Sequence, residues 1–180
     1  MSDIHIEPTA IEGVLVVRGR PAADARGHFV RLWCRDAFAA AGLAFVPAQI
    51  SASFNHRRGT LRGLHWQDGP DAETKLVRAS RGRIFDVAVD LRPGSPTRRA
   101  WVGLELDAAQ ATSLLIPPGC AHGFLTLTDG AEVTYAIDSP YRAGSGRGAR
   151  FDDPVLAIAW PGPPAVISDR DLSWPVLDDG

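Results

Sequence analysis

Short runs of apolar and β-branched residues, each bounded by glycine, proline or charged residues, recur along the whole chain. Runs of roughly four to eight residues with this composition are typical of β-strands. They predict strands over residues 14–17, 29–33, 75–78, 84–90, 101–106, 112–116 and 133–137. Many short strands at even spacing favour a sandwich or barrel built from two sheets.

Helical signals are few by comparison. A helix is predicted over residues 35–41, ending at Gly42, and residues 108–111 are expected to form a single turn. The chain has 180 residues and no internal repeat, so we expect one domain over residues 1–180. The sequence therefore predicts an all-β, double-sheet jelly roll with a few short helices.

Composition excludes several classes of protein. The formal net charge is -2 and no basic run is interleaved with aromatic residues, so no nucleic-acid partner is expected. No apolar run reaches membrane-spanning length and the first residues lack the pattern of a signal peptide, which predicts a cytoplasmic protein with no membrane partner. Cys34 and Cys120 lie far apart, and both are expected to be reduced and buried.

Two carboxylates stand out inside a predicted strand. Asp86 and Asp90 are an even number of residues apart in an apolar segment, so both should project from the same face. Buried charges are usually paired, and we expect Arg62, Lys75 or Arg78 to be their partners. A structural network is therefore favoured over direct catalysis by these two aspartates.

Two histidine-bearing stretches carry the strongest functional signal. Residues 59–65 read Gly-Thr-Leu-Arg-Gly-Leu-His, and residues 117–124 read Pro-Pro-Gly-Cys-Ala-His-Gly-Phe. A metal-binding cupin would show His-x-His in the first stretch, whereas His65 is followed by Trp66 and Gln67. Either histidine alone is more often structural, but two of them flanking one barrel mouth favour proton transfer by side chains over metal chemistry.

Lys75 and Tyr135 each have two interpretations. A strand lysine is more often a solvated edge residue, yet inside a barrel mouth it could stabilise a developing oxyanion. Tyr135 could be a half-buried aromatic with a satisfied hydroxyl, or a general acid. The polar segment 168–171, which contains Asp169 and Asp171, gains meaning only if it folds back toward His65.

Together these motifs resemble those of a known family. In chain order they cover residues 24–29, 59–67, 75–78, 85–92, 95–97, 116–124, 152–154, 158–161 and 168–171. With this order and spacing, nearly the whole chain resembles the dTDP-4-dehydrorhamnose 3,5-epimerase family, which are nucleotide-sugar epimerases of cupin type. The resemblance implies a reaction without metal or cofactor on a dTDP-linked 4-keto-6-deoxyhexose. The 4-ketone acidifies the protons on C3 and C5, so each centre can pass through an enolate.

The same resemblance implies roles for particular residues. His65 would be the general base, oriented by Asp171 with Asp169 as the alternative partner, and Tyr135 would supply the proton from the opposite side. Lys75 would stabilise the enolate oxygen. The residues implied in substrate binding are Arg62 and His122 along the site, and Arg26, Gln49 and Tyr141 against the nucleotide or its pyrophosphate.

Departures from the family pattern concern the nucleotide. Arg31 occupies a position where the family usually has a glutamate, and Ser51 stands where an asparagine is common. The exact sugar, the nucleotide, and the choice between C3-only and C3 and C5 epimerisation therefore stay open.

Two other functions also stay open. One is a non-catalytic or metal-binding cupin module using His65, His122, Gln67 and Glu73 as a weak mixed ligand set. The other is a sugar 3,4-ketoisomerase. The resemblance also implies a homodimer, in which residues 4–17 could lend a strand to the partner's sheet edge.

Overall fold

The computed structural model of the protein describes residues 3–177. Residues 1–2 and 178–180, the two ends of the predicted domain, lie outside this range. The strands are β1 (Ile4–Pro8), β2 (Leu15–Gly19), β3 (Ala22–Asp24), β4 (Gly27–Phe29), β5 (Gln49–Asn55), β6 (Leu61–Gln67), β7 (Lys75–Arg81), β8 (Arg83–Asp90), β9 (Trp101–Asp107), β10 (Thr112–Ile116), β11 (Cys120–Thr126), β12 (Ala131–Ile137) and β13 (Gly146–Gly148). The helices are α1 (Arg35–Ala40) and α2 (Asp169–Leu172).

Two antiparallel sheets form the body of the molecule. One has six strands in the order β1-β2-β10-β7-β12-β5, and the other has five in the order β13-β6-β11-β8-β9. A small hairpin, β3-β4, stands apart from both sheets. Neighbouring strands in each sheet are mostly distant in sequence, as in Greek-key connections. The arrangement confirms the predicted all-β, double-sheet jelly roll with few short helices.

Alternating side chains place the main core between the two sheets. Val77, Leu114 and Val133 from the six-stranded sheet pack with Ile84 and Phe124 from the five-stranded sheet, and all five are fully buried. Two smaller apolar clusters cover the outer faces. One lies under α1 around Phe38, and the other lies under the chain's last segments around Leu156. The outer face of each sheet is therefore partly covered. A site is expected in the space between the sheets.

The helical predictions were accurate. The helix α1 ends one residue before the expected boundary, and Gly42 follows it with a φ of 77°. A positive φ is accessible to glycine without the steric cost of a Cβ atom, which explains why the helix stops there. The predicted turn at residues 108–111 is a 3-10 turn, Ala108–Gln110. The helix α2 and the 3-10 turn Gly69–Asp71 were not predicted.

The predicted strand over residues 29–33 is wrong. Of that range only Phe29 belongs to a strand, and it is 71% exposed at the end of the β3-β4 hairpin. The apolar run has a different role, because Trp33 packs on Phe38 of α1 with ring centroids 6.3 Å apart. The six other predicted strands are confirmed with small changes at their ends.

Three further sequence expectations can be compared with the structure. Cys34 and Cys120 are both free, as expected, although Cys34 is only partly buried. No helix within residues 3–177 is long and apolar enough to cross a membrane. Asp86 and Asp90 do share one face of β8, and both have no exposed surface.

Candidate active site

A cavity of about 540 Å³ opens between the two sheets. Its walls come from β5, β7 and β12 on one side and from β6 and β11 on the other. The two histidine-bearing stretches are β6 and β11, which pair with each other so that His122 lies directly opposite His65. Eight of the nine predicted site residues line this cavity: His65, Tyr135, Asp171, Lys75, Gln49, Arg62, His122 and Tyr141.

Close approach of β6 to β11 depends on Gly63. This residue has a φ of 124°, and a Cβ added to it would lie 2.5 Å from Cα of Gly123 and 2.8 Å from the carbonyl oxygen of His122. No side chain fits at such distances. The glycine in the first stretch therefore lets the strand that carries His65 lie tight against the strand that carries His122.

His65 and Asp171 form a hydrogen-bonded dyad. The Nε2 atom of His65 lies 2.6 Å from Oδ1 of Asp171, whose side chain is 5% exposed, while the His65 side chain is 40% exposed. Because a carboxylate can only accept, Nε2 carries the proton and Nδ1 of the neutral ring is free to take one. The dyad thus has the geometry of a general base with an orienting partner.

The short helix α2 brings Asp171 to this position. Ser168 caps the helix by accepting a hydrogen bond from the Asp171 N–H at 3.1 Å, and Oδ2 of Asp171 accepts from the Gly63 N–H at 3.3 Å. Burial acts to raise the pKa of Asp171. The hydrogen bond of His65, the positive charge that its ring carries once protonated, and the hydrogen bonds of Gly63 and Ser168 together lower that pKa. The carboxylate therefore stays ionised. Asp169, the alternative partner, is exposed in the same turn.

Tyr135 reaches the cavity from β12, in the opposite sheet. Its ring meets that of His122 edge-on, with centroids 5.9 Å apart. Burial, and after it the negative charge of Asp86, raise the pKa of the Tyr135 phenol, against smaller opposing effects that include Arg62. The hydroxyl is therefore protonated at neutral pH and available as a proton donor.

Lys75 is held in a buried ion pair. Its Nζ lies 2.9 Å from Oε1 of Glu73, and the two side chains are 11% and 8% exposed. The other carboxylate oxygen of Glu73 accepts from Nε2 of Gln67 at 2.6 Å. Gln67 and Glu73, two of the four residues considered as metal ligands, are thus bound to each other, and Glu73 is also paired with the Lys75 cation. Residues 3–177 contain no group of three or more His, Cys, Asp or Glu side chains arranged to hold a metal ion.

The expected partners of the two strand aspartates were wrong. Asp86 Oδ1 lies 2.7 Å from Nε2 of His122, and Asp90 pairs with Arg92 at 2.8 Å. Sheet order explains the first pair, because β11 lies beside β8 in a register that puts His122 opposite Ala88, two residues from Asp86 on the same face. The second pair is local, since Arg92 follows Asp90 by two residues. The prediction that the aspartates serve in paired networks still describes both.

The predicted substrate-binding residues occupy the floor and rim. Arg62 Nε donates to Oδ1 of the buried Asn55 at 2.8 Å. Gln49 Nε2 donates to the carbonyl oxygen of Ser139 at 2.9 Å, which fixes its amide at the end of β5. Tyr141 is 69% exposed at the rim, where an aromatic face is open to a planar ring.

Arg26 lies elsewhere in the structure. It sits in the β3-β4 hairpin with an 89% exposed side chain and pairs with Asp24 at 2.6 Å. It does not line the cavity of its own chain.

Several residues near the cavity were not predicted from the sequence. Arg147 and Arg170 add positive charge to its lining, and Trp174 stacks edge-on against His65 with centroids 6.4 Å apart. Arg170 also lies over the ring of Trp174, 5.4 Å from its centroid. The excess of cations suits a polyanion such as a pyrophosphate. Arg170 falls in the 168–171 motif, but the sequence does not show that this segment meets the strand that carries Arg147 at the cavity.

Comparisons with known proteins agree with this geometry. The family model described as dTDP-4-dehydrorhamnose 3,5-epimerase matches residues 8–179. A dTDP-4-dehydrorhamnose 3,5-epimerase of Sinorhizobium fredii is 40% identical across 98% of this chain and 91% of the relative. A dTDP-4-dehydrorhamnose 3-epimerase of Streptomyces niveus is 37% identical across 93% of this chain and 81% of the relative. The crystal structure of a dTDP-6-deoxy-D-glucose-3,5-epimerase from Legionella pneumophila, in complex with dTDP-4-keto-L-rhamnose, superposes with a TM-score of 0.91 at 33% identity, covering 96% of this chain and 92% of that one.

Proposed function

Because the chain belongs to the dTDP-4-dehydrorhamnose 3,5-epimerase family, we propose that it converts dTDP-4-dehydro-6-deoxyglucose to dTDP-4-dehydrorhamnose. It is an isomerase of the epimerase type, acting on a nucleotide-linked deoxysugar. The reaction inverts C3 and C5 of the sugar and needs no metal or cofactor, because the 4-ketone of the substrate supplies the acidity.

One observation carries the proposal: the two proton-transfer groups come from opposite sheets. His65 projects from β6 of the five-stranded sheet, and Tyr135 projects from β12 of the six-stranded sheet into the same cavity. Inversion of a carbon centre requires a proton to leave one face and another to arrive on the other face. A sugar ring held between these two sheets would meet a base on one face and an acid on the other.

The steps follow from the groups present. Nδ1 of His65 takes the proton from carbon, and the electron pair moves onto the 4-keto oxygen to form an enolate. The Lys75 ammonium stabilises the negative oxygen. The enolate then collapses, carbon takes the Tyr135 proton from the other face, and the ketone is restored. Exchange with water returns a proton to the phenolate and removes one from His65, so the chain ends each turn unchanged.

Binding of the substrate is assigned to the remaining cavity residues. Arg62 and His122 lie beside the catalytic groups and contact the sugar or its phosphate. Gln49 and Tyr141 lie toward the rim, where they contact the nucleotide.

Arg26 requires a second copy of the chain in this scheme. The β3-β4 hairpin presents Arg26 and Phe29 to solvent, with 89% and 71% exposure. We therefore propose a homodimer in which this hairpin reaches the partner's cavity and Arg26 contacts the pyrophosphate. This contact is made by the β3-β4 hairpin, and the strand exchange expected for residues 4–17 stays a separate prediction.

The test follows the sugar protons. The purified protein is incubated with dTDP-4-keto-6-deoxyglucose in heavy water, and the H3 and H5 signals are followed by NMR beside a His65→Ala control. Loss of both signals with the wild type alone supports 3,5-epimerisation with His65 as the base. If neither proton exchanges, the proposed substrate or chemistry is wrong.

A C3-only epimerase is the second candidate, favoured by the similarity to the Streptomyces niveus 3-epimerase. It predicts loss of the H3 signal while H5 is retained. The same spectra identify a 3,4-ketoisomerase, since its product carries the carbonyl at C3 instead of C4.

A further inference from the structure

Glu73 is a buried carboxylate with no role in the chemistry above. It lies just before β7 and is 9% exposed. Both of its oxygens are engaged: Oε1 lies 2.9 Å from Lys75 Nζ, and Oε2 accepts from Gln67 Nε2 at 2.6 Å. A charge removed from water in this way is costly unless it is paired and hydrogen-bonded, so its position is determined by these two partners.

Gln67 in turn has a fixed orientation. Its Nε2 also donates to the carbonyl oxygen of Asp71 at 3.2 Å, and its Oε1 accepts from the Arg142 N–H at 3.2 Å. Two backbone groups therefore decide which end of the amide faces Glu73. Because Gln67 is neutral, the negative charge of Glu73 is left to be balanced by Lys75.

The ammonium of Lys75 has three N–H donors. One faces Glu73, and a second is directed at the carbonyl oxygen of His65 at 3.4 Å. One donor is left for the cavity that Lys75 lines. Without the carboxylate of Glu73, the Lys75 side chain would lose the contact that holds its ammonium in this position.

We propose that Glu73 is a positioning residue for the epimerisation, which holds the Lys75 ammonium in place and directs its third N–H at the 4-keto oxygen. This inference rests on the proposed function. The other carboxylates around the cavity have partners of their own, since Asp171 bonds to His65 and Asp86 bonds to His122. Within residues 3–177, Glu73 is the carboxylate in an ion pair with Lys75.

The test is a double-mutant cycle. Glu73→Gln keeps the shape of the side chain but removes its charge. The new amide nitrogen must face either Lys75 Nζ or Gln67 Nε2, both of which are donors, so one of the two contacts is lost. The rate of H3 exchange is measured in heavy water at saturating and limiting substrate. Residues in contact commonly show coupling energies that correspond to about a tenfold effect on rate, so we expect kcat of Glu73→Gln to fall about tenfold. KM should change less than about twofold. A loss confined to kcat is expected because the oxyanion forms only during reaction.

The second background is Lys75→Met. If Glu73 acts through Lys75, then Glu73→Gln in this background changes kcat less than about twofold. Glu105→Gln is the matched control, because Glu105 also pairs with a cation, Arg83 at 2.7 Å, but lies on β9 at the surface. It should leave kcat unchanged. Thermal unfolding of every variant checks that each is folded at the assay temperature.

Two results would overturn the inference. One is an equal loss of kcat in both backgrounds, which would mean that Glu73 acts on the fold independently of Lys75. The other is wild-type kcat in Glu73→Gln. Failure of the proposed function is distinguishable from either, because in that case the wild-type protein itself exchanges no sugar proton.

Discussion

The strongest prediction concerns the orienting carboxylate of the dyad. In Asp171→Asn the side chain keeps its shape, but the charge 2.6 Å from His65 Nε2 disappears. If the amide nitrogen faces the ring, it donates to Nε2 and forces the proton onto Nδ1, which can then no longer act as a base. If the amide oxygen faces the ring instead, the imidazolium formed during reaction loses its buried counter-charge.

Either orientation removes most of the general-base contribution. General-base catalysis is worth roughly 10²- to 10⁴-fold, so kcat should fall by about that factor. This loss corresponds to about 3–5 kcal/mol of activation free energy. The free energy of unfolding should change much less, by about 1–2 kcal/mol, because the Asn oxygen still accepts from the Gly63 N–H when the amide nitrogen faces the ring.

The assay is deuterium exchange at H3 under saturating substrate, with Asp169→Asn as the matched control. Asp169 lies in the same turn of α2 but is exposed, so its substitution should change kcat less than about twofold. The reasoning is refuted if Asp171→Asn exchanges within about twofold of the wild type, or if the two variants lose the same activity.

The pH dependence of stability gives a second check on Asp171. Its pKa in the folded protein is lowered, so the carboxylate stabilises the fold above the ordinary carboxyl pKa of about 3.9. That contribution is lost as the pH falls through the lowered folded value. The stability difference between wild type and Asp171→Asn should therefore be constant near neutral pH and shrink in acid.

Three further predictions concern other parts of the site and fold. Tyr135→Phe should retain deuterium exchange but lose at least about 100-fold in epimer formation, and an unchanged yield of epimer would contradict its role as the acid. Asp90→Asn should cost about 1–3 kcal/mol in urea unfolding at neutral pH, because it removes the charge of a fully buried carboxylate but leaves Arg92, whose side chain is 27% exposed, in partial contact with water. Burial opposes the shift, but hydrogen bonds lower the pKa of Asp90, so this difference too should diminish in acid, and a difference that grows in acid would be the wrong sign. Asn55→Ala should free the side chain of Arg62 and raise KM about fivefold, because one hydrogen bond of about 1 kcal/mol is lost. An unchanged KM would contradict a role of Arg62 in substrate binding.

Strand existence could be predicted where apolar residues ran without interruption. The strands β6 and β11 were recognised as functional stretches but not as strands, because glycine and histidine interrupt their patterns. The two strands pair and place His65 beside His122. The histidine-bearing motifs had indicated this proximity, although the strands themselves were not predicted. By contrast, residues 29–33 have the composition of a strand, but Trp33 packs on Phe38 of α1. The apolar character of this run reflects burial against the helix and not pairing in a sheet.

Partners across sheets could not be read from local patterns. His122 meets Asp86 because β11 lies between β6 and β8, and that order is a property of the whole topology. Glu73 was considered only as a metal ligand, although its place two residues before Lys75 makes an ion pair geometrically simple. Asp171 was recognised from its motif, and no spacing rule would join it to a histidine 106 residues away.

The dyad makes activity depend on an element that lies outside both sheets. The helix α2 follows every strand of both sheets in chain order, and it alone delivers the carboxylate that His65 requires. A chain whose sheets have closed but whose α2 is undocked would keep the cavity walls that the sheets provide, and His65 would lack its orienting carboxylate. Turnover should therefore be lost in a variant whose four-residue helix is undocked, even where the β-sheet signal is kept.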